Sequence, residues 1–178
     1  MSTTLTTSKT AGPSDRLKIN GELVAYVDGR LSFDALQRRM ATSSGRGPAT
    51  SYVAFDLLAI GGVDLRRLRW TVRRTRLEGL AEGWASTSLL QLCPATDDID
   101  EAREWFDVLP DAMGIEGLVC KGASSRYVGG RRTDWLKVNS IGVGVSDRFA
   151  SGTRCPGQVA AWHPAVVRDR CRGRVVAG

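Results

Sequence analysis

The stretch from Gly114 to Asn139, GIEGLVCKGASSRYVGGRRTDWLKVN, constrains this chain more than any other. It holds two short segments of apolar and β-branched residues, Glu116–Lys121 and Trp135–Asn139, and each reads as a strand carrying one lysine. Gly129-Gly130 marks a turn in the basic, glycine-rich link between them. A period of two puts Trp135, Lys137 and Asn139 on one face of their strand, with Leu136 and Val138 on the other. Two strands that each aim a lysine into one cleft make a site for an anion of high charge density, such as a polyphosphate. The alternative is a hairpin whose lysines simply face solvent.

The rest of the chain carries comparable signals. Residues 1–16 are Ser/Thr-rich and aperiodic, and are expected to be disordered. Leu17 to Asp28 reads as a strand, with alternation around Leu23, Ala25 and Val27, and Asp28-Gly29 as a hairpin turn. Ser32 is the expected N-cap of a helix through Met40, with Asp34 in its first turn and Phe33, Leu36 and Met40 along its apolar stripe. After a loop over 41–50, Ser51 to Leu58 is the central strand, and Ile60 to Leu65 turns the chain back. Thr71 is the expected cap of a helix to Leu80, although Arg73 and Arg74 in its first turn oppose the helix dipole. Ser88 to Cys93 reads as a strand ending at Pro94. Thr96 then caps a well-signalled helix, because Asp97, Asp98, Asp100 and Glu101 crowd its start. The stripe of that helix is Ile99, Ala102, Phe106 and Leu109, with Trp105 expected in the core.

A chain of 178 residues is long enough for a real core. Its net charge of +6 comes mostly from arginine, since the lysines are Lys9, Lys18, Lys121 and Lys137 alone. That balance favours a polyanionic partner such as nucleic acid. No apolar run approaches the ~20 residues a membrane helix needs, and the N-terminus lacks the apolar core of a signal peptide. A cytoplasmic protein with no membrane partner is therefore expected. The cysteines Cys93, Cys120, Cys155 and Cys171 lack C-x-x-C spacing, which favours reduced thiols over disulfides or zinc. The even spacing of Cys155, His163 and Cys171 is a weak zinc signal.

The pair EGLVCK and WLKVN resembles the fourth and fifth nucleotidyltransferase motifs of the ATP-dependent DNA ligases. Upstream, Ser51–Leu58 (SYVAFDLL) resembles the family's third motif, Asn20–Val24 (NGELV) its D-G-E-L-V element, and Phe33–Arg39 (FDALQRR) the helix that follows. The elements stand in family order and cover about Ile19 to Asn139. The resemblance implies an α+β fold, a partial nucleotidyltransferase (ATP-grasp-like) adenylation domain over 17–139 with antiparallel sheets and flanking helices. The tail over 140–178 is expected to be degenerate or irregular, because 39 residues are too few for the complete OB-fold that a DNA ligase would carry next.

The implied reaction has three steps. A lysine attacks the α-phosphorus of ATP to give lysyl-AMP, AMP passes to the 5′-phosphate of nicked double-stranded DNA, and the 3′-hydroxyl displaces AMP and seals the strand in repair or recombination. By the same resemblance, Phe55 stacks on adenine, Glu22 serves the ribose and metal side, and Glu116 is the carboxylate nearest Mg2+ (or Mn2+). Lys121 and Lys137 contact the phosphates. The family's nucleophile lies in K-x-D-G-x-R. Here Lys18-Ile19-Asn20-Gly21 is a near-match, but Leu23 stands where the arginine belongs and Asn20-Gly21 already serves the NGELV element. Asn139 stands where the fifth motif has a second basic residue. The expectation is thus a truncated ligase whose catalysis is impaired. The alternatives are a non-catalytic nucleotide- or nucleic-acid-binding remnant and a relative of the RNA ligases or capping enzymes.

Overall fold

The computed structural model describes residues 3–7, 17–41, 47–85, 89–129, 135–139 and 175–177. The chain divides into two units, Met1–Cys93 and Pro94–Gly178, here called unit 1 and unit 2.

Unit 1 is built on two long strands, β2 (Leu17–Val27) and β4 (Ala49–Ile60), paired antiparallel along most of their length. One edge of β2 takes β1 (Thr3–Thr7) and β3 (Arg30–Leu31); the outer edge of β4 takes β5 (Val63–Asp64) and, in parallel, β6 (Leu90–Leu92). Asp28 and Gly29, at φ of 50° and 78°, make the tight turn between β2 and β3 that D-G foretells. The expected disorder of residues 1–16 does not extend to Thr3–Thr7: β-branched threonine favours a pleated edge, and TTLTT pairs with Leu17–Gly21.

Two helices flank this sheet. Helix α1 (Phe33–Ala41) starts as expected, with the Ser32 Oγ accepting from the Ala35 N–H at 3.2 Å. Its expected apolar stripe does not hold. Ala35 is the buried residue, while Phe33 and Met40 stand 71% and 75% exposed. Helix α2 (Trp70–Ala81) also begins differently from expectation. Arg69 occupies the N-cap without a side-chain hydrogen bond, so Thr71 is not the cap. Leu77 of α2 joins Ile19, Tyr52, Ala54, Leu57 and Leu65 in the core of the unit. The Tyr52 hydroxyl donates to the Ile19 carbonyl at 3.1 Å and ties the two central strands together inside that core.

Unit 2 pairs helix α3 (Ile99–Met113) with a four-stranded antiparallel sheet ordered β7 (Ala95–Thr96), β10 (Val175–Ala177), β8 (Gly117–Lys121) and β9 (Trp135–Asn139). Asp98, rather than Thr96, caps α3. Its carboxylate accepts from the N–H groups of Asp100 and Glu101, and the Thr96 Oγ accepts from the Asp98 N–H. Gly114, left-handed at φ 73°, ends the helix. Ala102 and Phe106 lie against Leu118, Cys120 and Val138, with Ile99, Trp105, Leu109 and Leu136 around them, as the stripe predicts. The expectation of an irregular tail does not extend to Val175–Ala177, whose two valines pair with Val119 and Cys120 and with β7. The rest of that tail, with Cys155, His163 and Cys171, lies outside the described residues. The buried thiols Cys93 and Cys120 form no disulfide, and no described helix is long and apolar enough to cross a membrane.

Candidate functional site

In unit 2 the lysine-bearing strands pair as neighbours. Gly117 stands opposite Asn139, Val119 opposite Lys137 and Lys121 opposite Trp135. Leu118, Cys120, Leu136 and Val138 turn toward the core under α3, so alternation leaves Lys121, Trp135 and Lys137 together on the other face. Gly117 is what lets the strands close. A Cβ there would run into the Val138 carbonyl and come within 2.8 Å of the Asn139 Cα.

The two lysines differ in setting. Lys121 is only 2% exposed, and its Nζ lies 4.3 Å from the centroid of the Trp135 ring. That indole is itself fixed, because its Nε1–H donates to the buried Ser125 Oγ at 3.3 Å and Tyr127 meets it edge-on at 5.8 Å. Attraction of the cation to the ring face, worth up to ~2 kcal/mol when desolvated, offsets part of the cost of burying the charge. Lys137 is exposed, and its Nζ reaches the Glu116 Oε2 at 3.2 Å. Such solvent-exposed pairs contribute about 0–1 kcal/mol, so an incoming phosphate or cation can replace either partner at little cost. Asn139 adds no charge, and its buried Oδ1 has no hydrogen-bond partner among the described residues. The structure thus puts Lys121 and Lys137, both singled out from the sequence, on one face of the paired strands and joins Lys137 to Glu116, a third such residue.

Glu22, Phe55 and Lys18 belong to unit 1. Glu22 is part-buried on β2 opposite Val53. Phe55 is part-buried and is the extra residue of a bulge in β4. Ala54 stands opposite Gly21 and Asp56 opposite Asn20, which sets Phe55 between two successive positions of the ladder. Bulges re-aim side chains and are common beside active sites. Lys18 lies exposed at the start of β2 between Thr6 and Ala59.

One arrangement goes beyond the sequence motifs. Asp56 and Arg73, both fully buried, form a bidentate ion pair, and Arg73 also donates to the Leu68 carbonyl. The sequence does carry a signal for it: an aspartate inside the apolar run VAFDLLAI needs a buried cation, and α2 offers two arginines. Arg74 is buried as well, bonded to Glu78 and the Cys93 carbonyl. The two arginines that oppose the dipole of α2 are therefore ties from the helix to the sheet.

As for a divalent cation, no group of three or more His, Cys, Asp or Glu side chains converges among the described residues. Glu116 alone still fits a magnesium ion, which commonly binds through one or two carboxylates together with substrate phosphates and water.

Residues 2–139 match the family described as the ATP dependent DNA ligase domain. DNA ligase C2 of Mycolicibacterium smegmatis is 35% identical over 120 residues, covering 64% of this chain and 33% of that protein. The multifunctional non-homologous end joining protein LigD of Pseudomonas aeruginosa is 37% identical over 123 residues, 67% of this chain and 14% of that protein. The crystal structure of the ligase domain from M. tuberculosis LigD superposes with a TM-score of 0.52 at 29% identity, covering 70% of this chain and 37% of that one. A mycobacterial DNA ligase D complexed with ATP and MES gives 0.53 at 29% identity, with coverage of 70% and 38%. The chain thus spans between 14% and 38% of the length of these relatives.

Proposed function

Given that this chain belongs to the ATP-dependent DNA ligase family, we propose that it is an ATP-binding adenylation module acting on nicked duplex DNA in repair, and that it does not by itself form the covalent adenylate. The observation that carries the first half is the common face of β8 and β9, where Lys121 and Lys137 stand two ladder positions apart and Lys137 reaches Glu116. Cations fixed before the substrate arrives stabilise charge that builds on a transferring phosphoryl group without reorganising during the reaction. Lys121 supplies a buried charge held under an indole, and Lys137 a mobile one that leaves Glu116 for a phosphate. Phe55 would offer its ring to adenine, a contact of about 1–3 kcal/mol, and Glu22 would serve the ribose. A magnesium ion held at Glu116 would neutralise further phosphate charge. ATP and DNA are both intracellular, so this reading puts the protein in the cytoplasm. End joining is the form of repair named for the LigD relative.

The second half rests on Lys18. A nucleophilic lysine needs a neutral amine, which burial or neighbouring cations favour, and Lys18 is exposed on β2. Lys121 and Lys137 are assigned to the phosphates as cations. Incubation with α-labelled ATP and Mg2+, followed by denaturation, tests the point. We expect no retained label and no nick sealing, alongside ATP binding by calorimetry. A stoichiometric label lost in Lys18→Ala would make KING the nucleophile motif and overturn this half. Absence of ATP binding would overturn the first.

A further inference from the structure

Among the described residues of unit 1, four of the seven exposed cations, Arg66, Arg67, Arg69 and Arg76, fall in one stretch. Between Arg66 and Arg76 the chain carries six arginines. Three of them are committed: Arg66 to Asp64, Arg73 to Asp56 and Arg74 to Glu78. Arg67, Arg69 and Arg76 are exposed and make no ion pair among the described residues. Arg67 and Arg69 lie just before α2 and Arg76 almost two turns into it; at its start no acidic residue occupies the first turn and no side chain caps the end. The positive end of the helix dipole adds to their field. Like charges gathered there oppose folding of the helix, and a polyanion would relieve that repulsion.

We infer that Arg67, Arg69 and Arg76 form the surface with which unit 1 grips the phosphodiester backbone of duplex DNA. The inference rests on the proposed ligase reading for its choice of partner, and on charge for its location. Arg69 and Arg76 lie seven residues apart, about 10 Å along a helix axis, a span that covers about three phosphates of one strand. Helix α3 has the opposite character. Asp100, Glu101, Glu104, Asp107 and Asp111 stand against Arg103 alone, so α3 repels a backbone that α2 attracts.

The test is the salt dependence of binding to a fluorescent nicked duplex, followed by anisotropy between about 50 and about 200 mM salt. Replacing Arg67, Arg69 and Arg76 together by Gln should make the slope of log K against log salt shallower by about 3, close to one unit for each phosphate left without its arginine. Because all three side chains are exposed, circular dichroism should show the fold retained. The double variant Glu104→Gln/Asp107→Asn should leave the slope as it was. An unchanged slope in the triple variant, an equal change in the α3 control, or no DNA binding by the unaltered chain would each overturn the assignment. ATP calorimetry on the same preparations separates this from the ligase reading. ATP binding without DNA binding removes only the arginine surface, and arginine-dependent DNA binding without ATP binding removes only the nucleotide site.

Discussion

Arg73 meets Asp56 side-on inside unit 1, Nε to Oδ1 and Nη2 to Oδ2 both at 2.8 Å, with neither side chain exposed. The pair joins α2 to the central strand one residue from Phe55, so the helix and the bulge share a fixed point. Removing one partner leaves a buried charge uncompensated. Arg73→Ala or Asp56→Ala should each cost about 3–5 kcal/mol in urea unfolding, whereas Asp56→Leu combined with Arg73→Met should recover most of the loss. Single variants as stable as the original would show that the pair does not hold the helix.

This pair also marks the limit of what local sequence patterns encode. The motif strands are legible because an apolar period of two, a D-G turn and paired lysines are local signals. A local rule sets Arg73 and Arg74 against the helix dipole, whereas their partners on the sheet side lie 17 and 19 residues away. Phe33 and Met40 fit a helical stripe, yet Ala35 is the residue that α1 buries, because periodicity does not say how closely a helix packs. TTLTT and the valines of β10 are β-prone, but a short strand is decided by the edge it meets. Of the candidate site, Lys121 and Lys137 are legible together with their shared face, whereas the pairing of Glu116 with Lys137 is not. The bulge at Phe55 and the Ser125–Trp135 bond depend on register and loop path, which no local pattern encodes.

Two glycines separate close packing from backbone freedom. Alanine at Gly117 would press its Cβ into the Val138 carbonyl and the Asn139 Cα. Gly117→Ala should destabilise the protein by about 1–3 kcal/mol and weaken ATP binding, since β8 and β9 carry both lysines. Gly79 lies inside α2 with nothing within 4 Å of an added Cβ. Gly79→Ala should therefore stabilise by about 0.5–1 kcal/mol. Thermal unfolding of both variants checks the contrast, and a tolerated Gly117→Ala would contradict the strand spacing described above.

Asp64 offers a pH handle. The Arg66 guanidinium, and then the Arg66 backbone N–H, hold its carboxyl at about 2, below the ordinary 3.8. A carboxylate depressed on folding contributes stability that is present above pH 3.8 and lost as the pH falls through about 2. Arg66→Ala should bring the Asp64 titration, followed by NMR, back toward 3.8. The stability gap between the original chain and the variant should be small, because the pair is exposed, and should close at the acid end of that window. A gap that widened with acid would have the wrong sign.

Trp135 governs how Lys121 presents its charge. The ring covers the amine at 4.3 Å, and the Nε1–H bond to Ser125 holds the ring in place. If the indole positions the cation for a phosphate, its removal should weaken binding and uncover the amine at once. Trp135→Leu loses both ring and bond, while Trp135→Phe keeps a ring face. ATP affinity should fall by about 0.5–2 kcal/mol in the Leu variant, the worth of the cation–π contact, and by less in the Phe variant. Acetylation of Lys121 by acetic anhydride, read by mass spectrometry, should speed up in the same order, with Lys137 as the exposed internal reference. General loosening of the fold would accelerate buried lysine chemistry without regard to ring identity. An indistinguishable Phe and Leu pair would therefore assign Trp135 to packing alone, and a graded pair would assign it to positioning Lys121.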